Sequence, residues 1–406
     1  MSGAQKSGVA LSVAAAALGY FVDLYDIVIF GVVRVVSLND LGITGADNTS
    51  WGIHLLNLQM TGMLIGGVLW GVLGDIVGRR AALLATIGIY SLANVANGFV
   101  TSVEQYAVLR FIAGVGLAGE LGMGVTLVAE LMPARYRGYG TTVIAFLGLL
   151  GALAASYVGV LLPWRLAYFA GGGMGLLVMA LRWYGLRESA MFAARRAQAQ
   201  HQGDVRLLFK SLPTFGKFLA VIAVGVPIWY ISALFVNLAP EYGRALKLTA
   251  PLSVAEALRW QAIGLAIGSA ATGLLSEWLH SRKRVLYGCF AALIGLVGLL
   301  LSLDGASVTA YCVVMFAIGL GQGYWTVFIT TSAEQFGTNI RATVATSVPN
   351  FVRAMIVPIT LSLKAIWDAT GLVGGTLLIG ALVFGVALAA LWSLPETWGK
   401  NLDYTE

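Results

Sequence analysis

Apolar runs, each long enough for one membrane crossing, alternate with short polar breaks along the whole chain. A helix needs about 20 mostly apolar residues to span a bilayer. Such runs predict helices near residues 8–38, 52–74, 81–100, 104–130, 139–162 and 164–185. A polar stretch at 186–214 interrupts the series. A second set follows near 215–240, 254–279, 285–303, 307–334, 342–368 and 371–393. The pattern predicts an all-α membrane protein with twelve transmembrane helices in two pseudo-symmetric six-helix bundles. The domains expected are 1–185, a cytoplasmic linker at 186–214, 215–394, and a cytoplasmic tail at 395–406.

The two sets share more than length. Gly71-x-x-x-Asp75-x-x-Gly78-Arg79-Arg80 separates the second and third runs. Gly273-x-x-x-Glu277, followed by Arg282-Lys283-Arg284, separates the eighth and ninth, 202 residues later. Glu130 precedes Arg137 by seven residues at the end of run four, and Glu334 precedes Arg341 by seven at the end of run ten. Inside those runs, Gly114-x-Gly116-x-x-Gly119 corresponds to Gly319-x-Gly321-x-Gly323. Glycines at this spacing let one helix cross another closely. Matched elements at offsets of 202 to 205 residues imply an internal duplication, as in secondary transporters.

Composition removes the other broad classes. Of 406 residues, 58% are apolar and only 11% charged, where a soluble domain carries about a quarter. The formal charge of +6 resides in short loops and points to no nucleic acid. Cys289 and Cys312 each lie inside an apolar run, and His54, His201 and His280 are scattered. Neither a disulfide framework nor a metal site is expected. The first run contains Asp23 and Asp26 and lacks a basic leader, so it is expected to stay as helix 1. No nucleophile–base spacing or phosphate-cradling loop appears, so no enzyme is expected.

Lys and Arg set the orientation. Lys6, Arg79, Arg80, Arg135, Arg137, Arg187, Arg195, Arg196, Arg206, Lys210, Arg282, Lys283, Arg284, Arg341 and Lys400 fall on one side. Only Arg165, Arg244, Lys247 and Lys364 fall on the other. The positive-inside rule then puts both termini and the linker in the cytoplasm.

The loop Gly71–Arg80 is similar to the signature of the major facilitator superfamily between helices 2 and 3. Three further stretches resemble its sugar-porter and metabolite:proton-symporter branch. They are Arg110-Phe-x-x-Gly114-x-Gly116-x-x-Gly119-Glu120, Glu130-x-x-Pro133-x-x-x-Arg137-Gly138, and Pro395-Glu396-Thr397-x-Gly399-Lys400. The resemblance implies the major facilitator fold. Asp23-Leu-Tyr-Asp26 looks like the acidic pair that metabolite:proton symporters often carry in helix 1. The sugar porters' Gln-Gln pattern in helix 7 is replaced by Gly225-x-Pro227-x-Trp229-Tyr230, which argues against a sugar.

A charge inside the membrane is costly unless it is paired or faces water, so each marks a candidate site. Counting about 1.5 Å per residue brings Asp23, Asp26, Glu120 and Arg353 near the midplane. Asp23 and Asp26 are three apart and share a helix face; two acids so close raise one another's proton affinity. They are candidates for proton coupling, or else hydrogen-bond neighbouring helices. Glu120 is a second proton carrier, or the partner of a basic residue across the cavity. Arg353, the only basic residue read at midplane depth, lies between Pro349 and Pro358, which should kink helix 11. Its planar fork suits a carboxylate or phosphate; the alternative is a permanent salt bridge. Arg34, about 12 Å beyond Asp26 along the helix, is read as an outer-mouth residue.

Trp229, Tyr230, Tyr324 and Trp325 fall at similar depth, and aromatic rings with polar edges commonly line pockets; packing is the alternative. Gln261, Gln322 and Asn350 are candidates of the same kind. Asp75, Arg79, Arg80, Glu130, Arg137, Glu277, Glu334 and Arg341 are read as cytoplasmic gate residues that pair between the halves. The expected function is proton-coupled symport of a small organic anion by alternating access. An organic-cation or drug transporter and a sugar or polyol:proton symporter are the alternatives. No cofactor is expected beyond the proton gradient. The partners expected are a small molecule, protons and lipid around a monomer, in the cytoplasmic membrane if the source is bacterial.

Overall fold

The computed structural model of the chain describes residues 3–120, 122–124, 137–185, 211–337 and 341–399. These residues are almost wholly helical, with no strand among them. The chain divides into two compact units, Met1–Gly203 and Asp204–Glu406. Seven helical stretches among the described residues are individually long and apolar enough to cross a membrane.

The first unit contains α1 (Gly3–Asp40), α2 (Gly45–Val77), α3 (Arg79–Asn97), α4 (Val103–Leu117), α5 (Arg137–Leu161) and α6 (Trp164–Gly185). The α2–α3 turn is a single residue, Gly78, at φ 101°, where a side chain would be strained. It is the second glycine of the charged motif in this half. Ser102 opens α4 by accepting a hydrogen bond from the Gln105 N–H, which satisfies one of the free donors of the first turn. α1 packs chiefly on α5, α2 on α4, and α3 on α6.

The second unit begins with α7 (Leu212–Ile231), extended by one π-helical turn, Ser232–Val236, and a short helix, Ala239–Ala245. Then come α8 (Val254–Trp278) and α9 (Arg282–Leu301). α10 is two pieces, Val308–Gln322 and Trp325–Glu334; α11 runs Arg341–Ala354 and resumes at Ile356; α12 occupies 372–393 beyond a kink at Gly371. Side-chain caps from Ser211, Ser253, Ser281 and Ser307 start α7, α8, α9 and α10.

The duplication extends to backbone contacts. A Cβ at Gly62 would strike the Phe111 carbonyl on α4, and one at Gly114 the Gln59 carbonyl on α2. In the second unit, Gly264 stands against Phe316 and Gly319 against Gln261 in the same manner. The two helix pairs therefore touch backbone to backbone at equivalent places.

Three expected single helices are interrupted. The run at 342–368 breaks at Met355, because Pro358 has no N–H to offer the Ala354 carbonyl one turn earlier. The run at 307–334 breaks at Gly323–Tyr324. The run at 215–240 ends in the π turn, a form that recurs at functional positions.

Candidate functional site

In the first unit, Asp23 and Asp26 are both buried. Asp26 backs onto Gly171 of α6, where a Cβ would come within 2.6 Å of its Oδ1. The polar groups acting on it are Arg110 from α4, Asn94 from α3 and its own neighbour Asp23. Its oxygens complete no well-formed hydrogen bond among the described residues. Arg110 is fully buried and donates from Nη2 to Asn94 Oδ1 at 2.6 Å. Its guanidinium lies 4.9 Å from the Tyr168 ring centre and 6.0 Å from those of Phe30 and Tyr106. The positive charge is thus held by aromatic faces and remains available to the α1 acid.

Glu120 takes the second of its two expected roles, with an unexpected partner. Arg182 of α6 grips it with both arms, Nη1 to Oε1 at 2.9 Å and Nη2 to Oε2 at 2.8 Å. Thr86 of α3 donates to Oε1 at 2.9 Å, and Arg182 also donates to the Ala15 and Leu83 carbonyls. The pair therefore ties α1, α3, α4 and α6 together. Arg353 is not the only buried basic residue: Arg34, Arg110 and Arg182 are buried as well. Arg34 packs against Gly52 instead of standing at an open mouth. Arg110 appeared in the sequence only as part of a motif, and Arg182 not at all. The signal for both was an arginine inside an apolar helical run.

In the second unit, Arg353 is 2% exposed. It is the penultimate residue of the first segment of α11, two before the break at Met355. Its guanidinium carbon lies 5.7 Å from the centre of the Trp229 ring on α7. No acid pairs with it among the described residues. Trp229 is half-buried, with its Nε1 unpartnered among the described residues. Asn350, one turn before Arg353, is buried. Trp325 is half-buried and packs on Phe328 at 5.1 Å.

Two of the aromatic candidates take the packing alternative. Tyr230 and Tyr324 are fully buried. The Tyr230 hydroxyl donates to the Thr376 carbonyl at 2.8 Å, and that of Tyr324 to the Val224 and Gly225 carbonyls. Both are packing residues, because their polar edges satisfy backbone carbonyls inside the unit. Gln261 and Gln322 are bound to one another, Gln261 Nε2 to Gln322 Oε1 at 2.6 Å. Gln261 also reaches Ser232 Oγ, and Gln322 the Ile228 carbonyl. They brace the π turn of α7.

The expected gate residues that are described pair within a unit. Arg282 bridges Glu277 at 2.6 Å and Glu334 at 3.5 Å. Thr397 donates to Glu334 at 2.7 Å. Glu396 sits over the start of α9, accepting from the Arg282 and Lys283 N–H groups and from the Ser281 hydroxyl. Burial alone would raise its carboxyl, but these hydrogen bonds, with one from the Trp398 N–H, hold it below the ordinary carboxylate value. Residues 395–399 are thus docked on the second unit, where a plain tail was expected. Arg80 donates to the Trp183 carbonyl at 2.6 Å. Glu130, and the side chains of Asp75, Arg79, Arg137 and Arg341, lie outside the described residues.

Two helical units with matching backbone contacts and with arginines and acids buried in their interiors define a multi-pass integral membrane protein of the secondary-transporter type. The chain belongs to the Major Facilitator Superfamily, whose model matches residues 16–360. It is 26% identical to the gentisate transporter of Corynebacterium glutamicum, over 95% of this chain and 88% of that protein. It is 23% identical to the benzoate transport protein of Acinetobacter baylyi, over 79% and 75%. Among solved structures it shares the fold of the xylose transporter XylE from E. coli in a partially occluded inward open conformation. The TM-score there is 0.74, with 18% identity, and the match covers 98% of this chain and 100% of that one.

Proposed function

We propose that this protein imports small aromatic carboxylates in symport with protons, by alternating access. The observation that carries the proposal is Arg353, buried without an acid partner among the described residues and facing the half-open Trp229 ring. A buried guanidinium without a counter-charge is costly, and an incoming carboxylate supplies that charge with two oxygens matched to the fork. The indole beside it offers an apolar face to an arene. The gentisate and benzoate carried by the two relatives combine these groups, a carboxylate on an aromatic ring, which supports the same reading here.

Proton coupling is assigned to Asp26 with Asp23, facing Arg110. A carboxylate in that position holds its charge by attraction to Arg110 and loses it by taking up a proton. Translocation with both acids ionised carries two like charges close together on one helix face, which favours the proton-loaded carrier. The energy source is the proton gradient, with no further cofactor. The working unit is a monomer in the cytoplasmic membrane, with both termini on the cytoplasmic side.

Uptake into proteoliposomes tests this. Labelled benzoate and gentisate should accumulate under an inward proton gradient, and Arg353→Gln should abolish that accumulation. Carboxylates that stay outside while organic cations move would assign the acids to substrate binding and overturn the proposal.

A further inference from the structure

Helix α3 carries a polar ladder buried inside the first unit. Thr86, Tyr90 and Asn94 follow one another at intervals of four and therefore share a face. All three are fully buried, as is Ser91 beside them. The lower rung, Thr86, donates to Glu120 of the Glu120–Arg182 pair. The upper rung, Asn94, receives Arg110 and acts on Asp26. Tyr90 stands between, about 6 Å along the helix from each.

The middle rung is the unusual one. Its hydroxyl has no hydrogen-bond partner among the described residues, and neither has that of Ser91. A buried phenol rarely stays unsatisfied, since an unmade hydrogen bond costs about 1–3 kcal/mol. The ionisable groups acting on Tyr90 come from three directions. They are Glu120 just past the end of α4, Arg182 on α6, and Asp26 and Asp23 on α1. Gly116 of α4 lies against the Tyr90 backbone, and a Cβ at Gly175 of α6 would come within 3.4 Å of its ring. These glycines let α4 and α6 close tightly on Tyr90 and Ser91, whose two unsatisfied buried hydroxyls are the kind of polar group that an ordered water pairs with.

We infer that Tyr90 and ordered water beside it form a proton route between the Asp23–Asp26 pair and the Glu120–Arg182 pair. The route runs along α3 within one unit, apart from Arg353. In a transfer step the hydroxyl oxygen accepts a proton from water on the aspartate side as the hydroxyl proton passes to water on the glutamate side. The O–H bond broken is replaced by the one formed, and the phenol stays neutral. The end of the route at Arg182 is close to the α2–α3 turn, since Arg182 bonds the carbonyl of Leu83 in the first turns of α3. The acids on α1 then exchange protons with that face of the membrane without using the substrate path. This inference rests on the assignment of proton coupling to α1.

The test needs no substrate, so it reads separately from the carboxylate uptake. Protein oriented in liposomes is given a pH jump on the face carrying the α2–α3 turn. The carboxyl C=O band that disappears in Asp26→Asn is followed by time-resolved infrared spectroscopy. Tyr90→Phe, which removes one oxygen, should slow the band's response roughly tenfold or more and leave its midpoint pH unchanged. Tyr90→His, which keeps a group able to pass a proton, should restore much of the rate. An unchanged rate in Tyr90→Phe, with a raised unfolding temperature, would mark the hydroxyl as a dry packing defect and overturn the route. A band that does not titrate between about pH 5 and 9 would overturn the route together with the coupling assignment.

Discussion

Arg182 on α6 meets both carboxylate oxygens of Glu120, at 2.9 and 2.8 Å, with neither side chain reaching solvent. A bidentate pair of this kind fixes distance and orientation together. It places the end of α4 against α6 and, through Thr86 and the Ala15 carbonyl, against α3 and α1.

Breaking the pair from one side should be worse than removing it whole. Arg182→Met or Glu120→Leu alone should each cost about 3–5 kcal/mol, because the remaining charge is stranded. The double variant should recover a large part of that loss. Unfolding of the detergent-solubilised protein, followed by thermal or denaturant titration, checks the order of the three variants.

Asp26 is expected to separate coupling from movement. Asp26→Asn keeps the shape and removes the titratable group, so exchange of labelled for unlabelled benzoate across the membrane should persist. Accumulation driven by the proton gradient should fall by about a hundredfold. Unchanged accumulation with the same pH dependence would remove Asp26 from the coupling site.

Arg353→Lys keeps the charge and loses the fork. If the carboxylate binds across two nitrogens, KM should rise by roughly ten- to a hundredfold, the worth of one charged hydrogen bond, with kcat less affected. Trp229→Ala should weaken aromatic acids more than aliphatic ones of the same charge. Competition of benzoate and butyrate against labelled uptake measures that difference.

Glu396 gives a pH-dependent contribution to stability. Its carboxyl is held below the ordinary value of 4.5 in the folded protein, so the unfolded chain binds the proton more readily. The contribution is present above the unfolded value and lost as pH falls through the lower, folded one. Glu396→Gln should cost about 1 kcal/mol at neutral pH, as loss of a helix-start acceptor does. The gap from the unaltered protein should close on acidification, as unfolding temperatures taken across the acid range will show.

The α8–α10 crossing should not accept a side chain. Gly264→Val would drive a branched Cβ into the Phe316 carbonyl. A cost of about 1–3 kcal/mol is expected from overpacking. The equivalent change in the first unit, Gly62→Val, should behave alike because Phe111 stands in the same place. Expression level and unfolding temperature of the two variants check the equivalence.

Much of this architecture is legible in one dimension. Asp23 and Asp26 stood out because they interrupt an apolar run, and Gly114 and Gly319 because they repeat at the offset of the charged turns. Arg110 and Arg182 did not stand out. Both lie in helical runs whose ends are rich in arginine, and depth counted from a run's end shifts with every error in that end. For Tyr230 and Tyr324 the sequence leaves pocket lining and packing both open, because a tyrosine on a pocket wall and one bonded to a neighbour's carbonyl look the same along the chain.

The sequence by itself determined that this is a duplicated helical membrane protein, and it determined which residues put charge into apolar segments. Helix length and internal repetition are properties of consecutive residues, so a linear reading recovers them. The tertiary structure decided that Glu120 belongs to Arg182, 62 residues away, that Arg110 faces Asp26, and that Arg353 meets Trp229. The gate arginine Arg282 likewise found its acids within its own unit, with Glu396 capping the same turn. Such pairings depend on how each helix is rotated and how deeply it is set against its neighbours. A few glycine contacts and proline breaks settle that rotation, and a buried charge then takes whichever partner the packing brings within about 3 Å.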